Sequence, residues 1–216
     1  MKKKMLFGIF IVLIIIGVVA IASFSFMLYK DRTYFHSPPY SHENGTSDIL
    51  VVYYSRSGNT EAFARAIAKE LEADILRITE NRYTLDINGW QNAASDAQNK
   101  VRKVKIAPEI YDLARYNTVF LGSPIWLFRP APPLWSFVEN NQFDGKSVVL
   151  FNTFNSRFKA ENIIEFKSLI EGKGGKLVDH VYIRRGRILF QMTGLELLES
   201  AASVAKRGKE VWKMPY

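Results

Sequence analysis

The chain has 216 residues, of which 48% are hydrophobic and 13% aromatic, and it contains no cysteine. This length suffices for one substantial core rather than for two full-sized domains, and the absence of cysteine excludes disulfides, thiolate metal sites and cysteine nucleophiles. The formal net charge is +8, but the basic residues are dispersed among acidic ones, so no nucleic-acid partner is expected. The histidines, His36, His42 and His180, are too scattered to predict a metal site.

The first predicted element is an uncharged apolar segment from Met5 to Tyr29. A helix needs about 20 apolar residues to cross a bilayer, so residues 1–30 are predicted to form an N-terminal transmembrane anchor. A cleaved signal peptide is the alternative, favoured by the basic start and by Ala20 and Ala22. The apolar stretch of a signal peptide is usually only about 7–15 residues long, and this segment continues past that cleavage site, which favours the anchor.

Charges on the two sides of the apolar segment predict its orientation. Lysines at positions 2–4 precede it, whereas Lys30 and Arg32 follow it and are offset by Asp31. Because positive residues favour the cytoplasmic side, we expect a single-pass membrane protein with an extracytoplasmic globular domain; a cytoplasmic domain is the alternative. Residues 31–47 mix prolines, polar residues and turn formers, which is typical of a linker that tethers the globular domain, residues 48–216.

The globular domain alternates between short apolar runs and segments with helical spacing. Continuous apolar runs are typical of strands that are buried on both faces. The predicted strands are Ile49–Tyr54, Asp74–Ile78, Asn117–Trp126, 146–154 and 175–183. The predicted helices are Asn59–Leu71, a segment around Asn92–Val104, 132–140, 161–172 and Thr193–Trp212, with Thr193 as the cap. This alternation predicts an α/β fold in which helices cover both faces of a five-stranded parallel sheet.

A cluster of small polar residues follows the first predicted strand and leads into a helix: Ser55, Arg56, Ser57, Gly58, Asn59 and Thr60. Ligands of such folds lie beyond the carboxyl ends of the strands, and free N–H groups at a helix N-terminus attract anions. The patterns of ATP-binding and dinucleotide-binding loops are both missing. The cluster therefore predicts a site for a terminal phosphate monoester; simple helix capping is the alternative.

Two segments resemble the flavodoxin and flavodoxin-like family, which binds flavin mononucleotide (FMN). The segment VVYYSRSGNTEAFARAIAKEL looks like the family's phosphate loop, and TVFLGSPIWLFRPAPPLWSFVENNQFDGKSVVLFNTF resembles the flavin-ring loops of a short flavodoxin-like group. The resemblance covers most of residues 49–183 and keeps the order and spacing of the motifs. It implies a flavodoxin-like three-layer sandwich with strand order 2-1-3-4-5, and one non-covalently bound FMN.

Carried over by position, the resemblance assigns the cofactor-binding residues in three loops. The phosphate loop falls on residues 55–60, and the ring-binding loops are Ser123, Pro124, Ile125 and Trp126, followed by Asn152, Thr153 and Phe154. Trp126 follows a strand, where its planar ring could stack on a flavin; a place in the core is the alternative. The resemblance assigns no catalytic residue.

The basic composition departs from the acidic character of flavodoxin carriers. Arg129 and Arg157 lie within or just beyond the predicted ring loops. A cation near the flavin favours its anionic reduced form, so the hypothesis is that either arginine raises the reduction potential; exposure to water is the alternative. A tight basic cluster, Arg184–Arg187, follows the last predicted strand. We interpret it as a solvated loop, with an anionic partner or a lipid surface as the alternative.

Together, these features predict a membrane-anchored protein that transfers electrons through bound FMN. Its partner is expected to be a redox protein or a small-molecule electron acceptor. An FMN-dependent enzyme that reduces quinones with NAD(P)H is the second hypothesis. A flavin-free binding module on the same fold is the third.

Overall fold

The computed structural model describes residues 2–41, 45–187 and 190–212. These residues form six helices and six strands, which alternate along the chain except for two consecutive strands in its middle. The helices are α1 (Lys2–Arg32), α2 (Asn59–Leu71), α3 (Ile87–Gln98), α4 (Pro132–Asn140), α5 (Ala160–Gly172) and α6 (Gly194–Trp212). The strands are β1 (Ile49–Tyr54), β2 (Asp74–Ile78), β3 (Thr118–Trp126), β4 (Arg129–Pro130), β5 (Ser147–Phe154) and β6 (Lys176–Arg184).

The long strands form one parallel sheet in the order β2-β1-β3-β5-β6. Counting only the parallel strands, this is the order 2-1-3-4-5 expected for a flavodoxin-like fold, which is thereby confirmed. Central strand β3 pairs with β1 on one side and β5 on the other, so that Phe120 lies between Val51 and Val149. The short strand β4 was not predicted; it pairs antiparallel with the end of β3.

Two separate apolar cores cover the two faces of the sheet because successive side chains of a strand point to opposite faces. Leu50, Val52 and Tyr54 of β1 belong to the core that includes α4 and α5. Val51 and Tyr53 belong to the core under α2 and α6. This alternation explains why the strand had to be apolar along its whole length.

The observed start of α3 corrects the helix predicted around Asn92–Val104. The helix begins at Ile87, because the Asp86 carboxylate caps it by accepting a hydrogen bond from the Gly89 amide at 2.8 Å. It ends at Gln98, and the chain turns at Lys100, whose φ is +52°. The predicted cap of α6 is confirmed, since the Thr193 hydroxyl accepts from the Glu196 amide at 3.3 Å.

Helix α1 contains a 24-residue segment, Lys3–Phe26, that is long and apolar enough to cross a membrane. Most of its described side chains are exposed rather than packed against the domain. Such a helix is consistent with a membrane span and also with a signal sequence.

The segment Thr33–Tyr40, which we call the strap, packs against the globular domain, whereas its composition predicts a free tether. The structure differs here because aromatic and carbonyl groups of the strap find partners on α2 and its flanking loops. Tyr34 also donates a hydrogen bond to the buried Glu61 carboxylate. The other hydrogen bonds join Phe35 N to Ser57 O (2.9 Å), Arg65 Nη1 to Ser37 O (2.7 Å) and Tyr40 Oη to Ala73 O (3.0 Å).

Candidate functional site

A cavity of about 420 Å³ opens where the carboxyl ends of β1, β3 and β5 meet. The order of the strands reverses at this edge, which is where ligands bind in open α/β sheets. Most of the predicted site residues line the cavity: Ser55, Arg56, Ser57, Asn59, Thr60, Pro124, Ile125, Trp126, Thr153 and Phe154. The structure therefore brings the three predicted loops together around one space.

The phosphate loop crosses from β1 to α2 through a left-handed residue. Gly58 has φ +84°, and a Cβ added there would lie 1.9 Å from the Phe35 carbonyl oxygen. Within the described part of the chain no side chain caps the N-terminus of α2, so amide groups of its first turn are left to meet a ligand. The loop therefore has the backbone arrangement that captures an anion at a helix N-terminus.

Hydroxyl and amide side chains of the loop hold one another in place. The Asn59 Nδ2 group donates to Ser57 Oγ at 2.9 Å. The Thr60 and Thr153 hydroxyls lie 2.7 Å apart and are both buried. This contact links the first turn of α2 to the carboxyl end of β5, and so the phosphate loop to the second ring loop.

Arg56 lies on the cavity, but its guanidinium is turned toward the loop that precedes α3. It donates to backbone carbonyls of that loop, at 3.2 Å to Tyr83 and 2.7 Å to Thr84. The Arg56 side chain thus holds the loop before α3 in place. Only the backbone of Arg56 contributes to the phosphate loop. The guanidinium is therefore directed away from the N-terminus of α2, where the loop presents neutral donors.

Trp126 is half-buried and joins the core to the cavity. Its ring makes edge contacts with Tyr54 and Tyr83, at centroid distances of 5.7 and 5.0 Å. Burial is the main cause that raises the pKa of both tyrosines above the ordinary value, followed by the neighbouring Glu80 for Tyr54 and Asp96 for Tyr83. Tyr54 and Tyr83 therefore stay neutral. Their rings support one side of the Trp126 ring, which also lines the cavity.

The turn between β3 and β4 is a strained hairpin. Leu127 and Phe128 have φ values of +42° and +74°, although two-residue turns with positive φ favour Asn and Gly. Such backbone strain is concentrated at functional sites. The Phe128 carbonyl accepts from Lys159 N and Asn162 Nδ2, both at 3.0 Å, and these bonds hold the turn so that both side chains line the cavity.

Three predicted residues, Gly58, Ser123 and Asn152, are not among the residues that line the cavity. Ser123 and Asn152 are buried beneath it. Asn152 donates to the Ser123 carbonyl at 2.8 Å and accepts from His180 Nε2 at 2.9 Å. Burial lowers the pKa of His180 to about 4, an effect that Asp179 opposes. This chain of polar groups positions the two ring loops from below.

The arginines near the ring loops have different surroundings. Arg129 is 1% exposed, lies over the Trp135 ring at 4.4 Å and has none of its guanidinium nitrogens hydrogen-bonded among the described residues. It does not line the cavity, but it pairs with Trp126, which does, and its burial excludes the alternative that it is exposed to water. Arg157 is exposed and lines the cavity, as do Arg185 and Arg187 of the basic cluster. Two arginines of this cluster therefore lie at the cavity, while Arg184 and Arg187 are exposed as a solvated loop predicts.

Other lining residues were missed by sequence reasoning. They come from segments outside the predicted loops: Phe26, Trp90, Ala93, Ala94, Leu127, Phe128, Asn155, Ser156 and Gln191. The position of Trp90 could not be found because α3 was displaced in the prediction. Of the scattered histidines, His42 lies outside the described residues. Within the described residues, no cluster of His, Asp and Glu suited to a metal ion is present.

Known proteins support the fold and the family. Solved structures with similar folds include a putative flavoprotein from Bacteroides uniformis (22% identity, 73% of this chain and 97% of that chain, TM-score 0.57). A second is a flavoprotein in complex with FMN from Lactobacillus acidophilus (21% identity, 62% of this chain and 91% of that chain, TM-score 0.52). No protein with a curated description matches the chain. The sequence pattern of the family described as Flavodoxin matches residues 48–186, and the chain therefore belongs to the flavodoxin family.

Proposed function

We propose that this chain is a membrane-anchored flavoprotein that binds FMN in the cavity and transfers electrons through it. The observation that carries the proposal is the joining of the phosphate loop, Trp126 and Thr153 around one cavity. A similar fold from Lactobacillus acidophilus is described in complex with FMN. The family membership supports the same cofactor.

The residues present fit FMN at both of its ends. The open N-terminus of α2, with the Ser55, Ser57 and Thr60 side chains, offers neutral donors for a phosphate monoester. Trp126 and Phe154 offer planar apolar surfaces for an isoalloxazine ring. At Gly58 the phosphate loop packs so closely against the Phe35 carbonyl of the strap that no side chain would fit there.

The cavity favours electron transfer over reactions that need proton relay from side chains. Among the described residues that line it, none is Asp, Glu or His, so a general acid or base is not provided there. Bound FMN supplies the redox chemistry, while the chain binds and orients it and sets its electrostatic surroundings. The partner in this proposal is a redox protein or a small-molecule acceptor.

Helix α1 serves as the anchor in this proposal. Its apolar segment of 24 residues, Lys3–Phe26, spans roughly 36 Å as a helix, which exceeds the hydrocarbon thickness of about 30 Å. The lysines before it favour a cytoplasmic N-terminus and an extracytoplasmic domain. Protease accessibility of the domain in sealed vesicles distinguishes this orientation from the reverse.

Titration of the full chain with FMN and with riboflavin tests the cofactor proposal. We expect Ser57→Ala to weaken FMN binding by about tenfold or more, because a hydrogen bond to a charged group contributes about 1.5–3 kcal/mol. Riboflavin has no phosphate, so its affinity should stay unchanged. Flavin fluorescence and calorimetry measure both affinities.

Ser147→Ala is the matched control for Ser57→Ala, because Ser147 lies at the start of β5, far along the strand from the cavity. It should change neither affinity. Failure of the wild-type chain to bind FMN would overturn the cofactor proposal. Equal losses for FMN and riboflavin in Ser57→Ala would show that Ser57 does not face the phosphate.

Arg157→Ala should lower the flavin reduction potential. Removing a cation near the cavity destabilises the anionic reduced flavin relative to the oxidised form, by roughly 0.7 kcal/mol or about 30 mV for one electron. Potentiometry with reference dyes measures the shift. Arg157→Lys should retain the wild-type potential, whereas an unchanged or higher potential in Arg157→Ala contradicts the electrostatic role.

A further inference from the structure

The mouth of the cavity combines exposed apolar and basic side chains. Leu127 and Phe190 are 49% and 90% exposed, and Arg157 and Arg187 are exposed beside them. Leu127, Arg157 and Arg187 line the cavity, and Phe190 lies in the same loop as Arg187, to whose carbonyl its amide donates at 2.9 Å. We call these four residues the mouth face.

The strap keeps this face near the end of α1. Helix α1 ends at Arg32, and the Phe35 amide already donates to the Ser57 carbonyl in the phosphate loop. The intervening chain spans at most about 10 Å when fully extended. The phosphate loop and the cavity therefore cannot move far from the end of the apolar helix while this bond is present.

Helix α1 itself contacts the rim of the cavity. The Phe24 ring makes an edge contact with Trp90 at 5.8 Å, and Phe26 lines the cavity. Both phenylalanines belong to the apolar segment Lys3–Phe26. Trp90 thus lies at the level where this segment ends, and tryptophan is enriched at membrane–water interfaces.

We propose that the mouth face rests on the anionic headgroup layer of the membrane that α1 enters. Leu127 and Phe190 lie in the interface, and Arg157 and Arg187 bind lipid phosphates. This inference rests on the proposed function only in taking α1 as an anchor. The occupant is a bilayer rather than a soluble protein because the strap keeps the phosphate loop near the end of α1, because Phe26 of α1 lines the same cavity as the face, and because the charge of the face is positive.

The position of the face has a consequence for access. Three of the four residues of the mouth face line the cavity, so a small molecule that enters between them arrives from the headgroup layer and not from bulk water. The proposed small-molecule acceptor is then a lipid-soluble one. A large soluble redox protein would have to displace the face from the bilayer before reaching the cavity.

Tryptophan quenching by brominated lipids in nanodiscs tests the proposal on the full chain, with Trp90→Phe subtracted to isolate the Trp90 signal. We expect strong quenching in bilayers of phosphatidylcholine with brominated phosphatidylglycerol. A flexible Gly-Ser insertion between Arg32 and Thr33 allows the globular domain to move away from the membrane. Quenching of Trp90 then depends only on whether the mouth face docks on the bilayer. In that extended chain, Arg187→Gln should lower the ratio of docked to undocked domain about fivefold.

Lys176→Gln is the matched control, because Lys176 is exposed at the start of β6, whereas Arg187 follows its end. It removes the same charge and should leave quenching unchanged. Equal effects of Arg187→Gln and Lys176→Gln, or absence of Trp90 quenching in a membrane-inserted chain, would overturn the proposal. Quenching that requires two chains per disc would also overturn it, by identifying a second copy as the occupant.

The outcomes separate this inference from the proposed function. FMN binding without Trp90 quenching would support the flavin proposal and contradict the docking of the mouth face on the membrane. Trp90 quenching without FMN binding would support the docking and contradict the flavin proposal. Extraction of the unmodified chain from membranes by alkaline carbonate would contradict the anchor, and the docking proposal would fail with it.

Discussion

Gly58→Ala should destabilise the protein and weaken FMN binding together. The left-handed backbone at φ +84° is unfavourable for alanine, and the added Cβ would lie 1.9 Å from the Phe35 carbonyl oxygen. We expect the free energy of unfolding to fall by roughly 2–4 kcal/mol. Because the loop amides that would face the phosphate must shift, FMN affinity should fall about tenfold or more. Urea unfolding in nanodiscs and FMN titration measure the two effects.

Gly145→Ala separates the conformational cost from the steric one. Gly145 also has a left-handed backbone, at φ +71°, but a Cβ there meets no atom within 4 Å. It should lose only about 1–2 kcal/mol of stability and keep wild-type FMN affinity. If Gly58→Ala binds FMN with wild-type affinity, the strap must move away without changing the phosphate loop. The close packing of Phe35 against Gly58 would then not determine FMN affinity.

Acidification should weaken the fold through His180. Its pKa is lowered from 6.5 to about 4, mainly by burial, so the unfolded chain binds this proton more readily than the folded one. The corresponding stability is fully present above pH 6.5 and is lost as the pH falls toward 4. Between pH 7 and pH 5 the loss should be about 2 kcal/mol, measured by urea unfolding at both pH values.

His180→Gln provides the comparison, since a glutamine amide can still donate to Asn152 but does not titrate. The variant should lack this component of the pH dependence while other groups contribute equally to both proteins. Retention of the full wild-type dependence would assign it to other residues. Because Asn152 also contacts the Ser123 carbonyl at 2.8 Å, FMN affinity should follow the same pH profile in the wild type.

The strands and most helices were predictable from local patterns. Runs such as Ile49–Tyr54 are buried on both faces and therefore apolar throughout, and the observed strand has the predicted bounds. The open helix N-terminus after Gly58 followed from residue types that need no tertiary information. The ring loops, by contrast, came from resemblance to the family, because short segments such as residues 152–154 carry no signal of their own.

Side-chain direction and long-range contacts account for most of what the sequence did not reveal. Asn152 and Thr153 are adjacent in β5, so their side chains point to opposite faces and only Thr153 lines the cavity. The sequence predicts Arg129 either as a cation beside the flavin or as a water-exposed residue, yet it is buried over Trp135. The docking of the strap depends on partners such as Glu61 that are distant in sequence.

The Thr60 and Thr153 hydroxyls lie 2.7 Å apart. In the proposed complex, this contact couples the binding free energies of the phosphate end and the ring end of the cofactor. One hydroxyl belongs to the segment proposed to bind the phosphate and the other to the segment proposed to bind the ring. A disturbance at either end changes the hydrogen-bond partner available at the other. Substitutions at the two threonines should therefore be non-additive, so that the pair behaves as a single energetic unit.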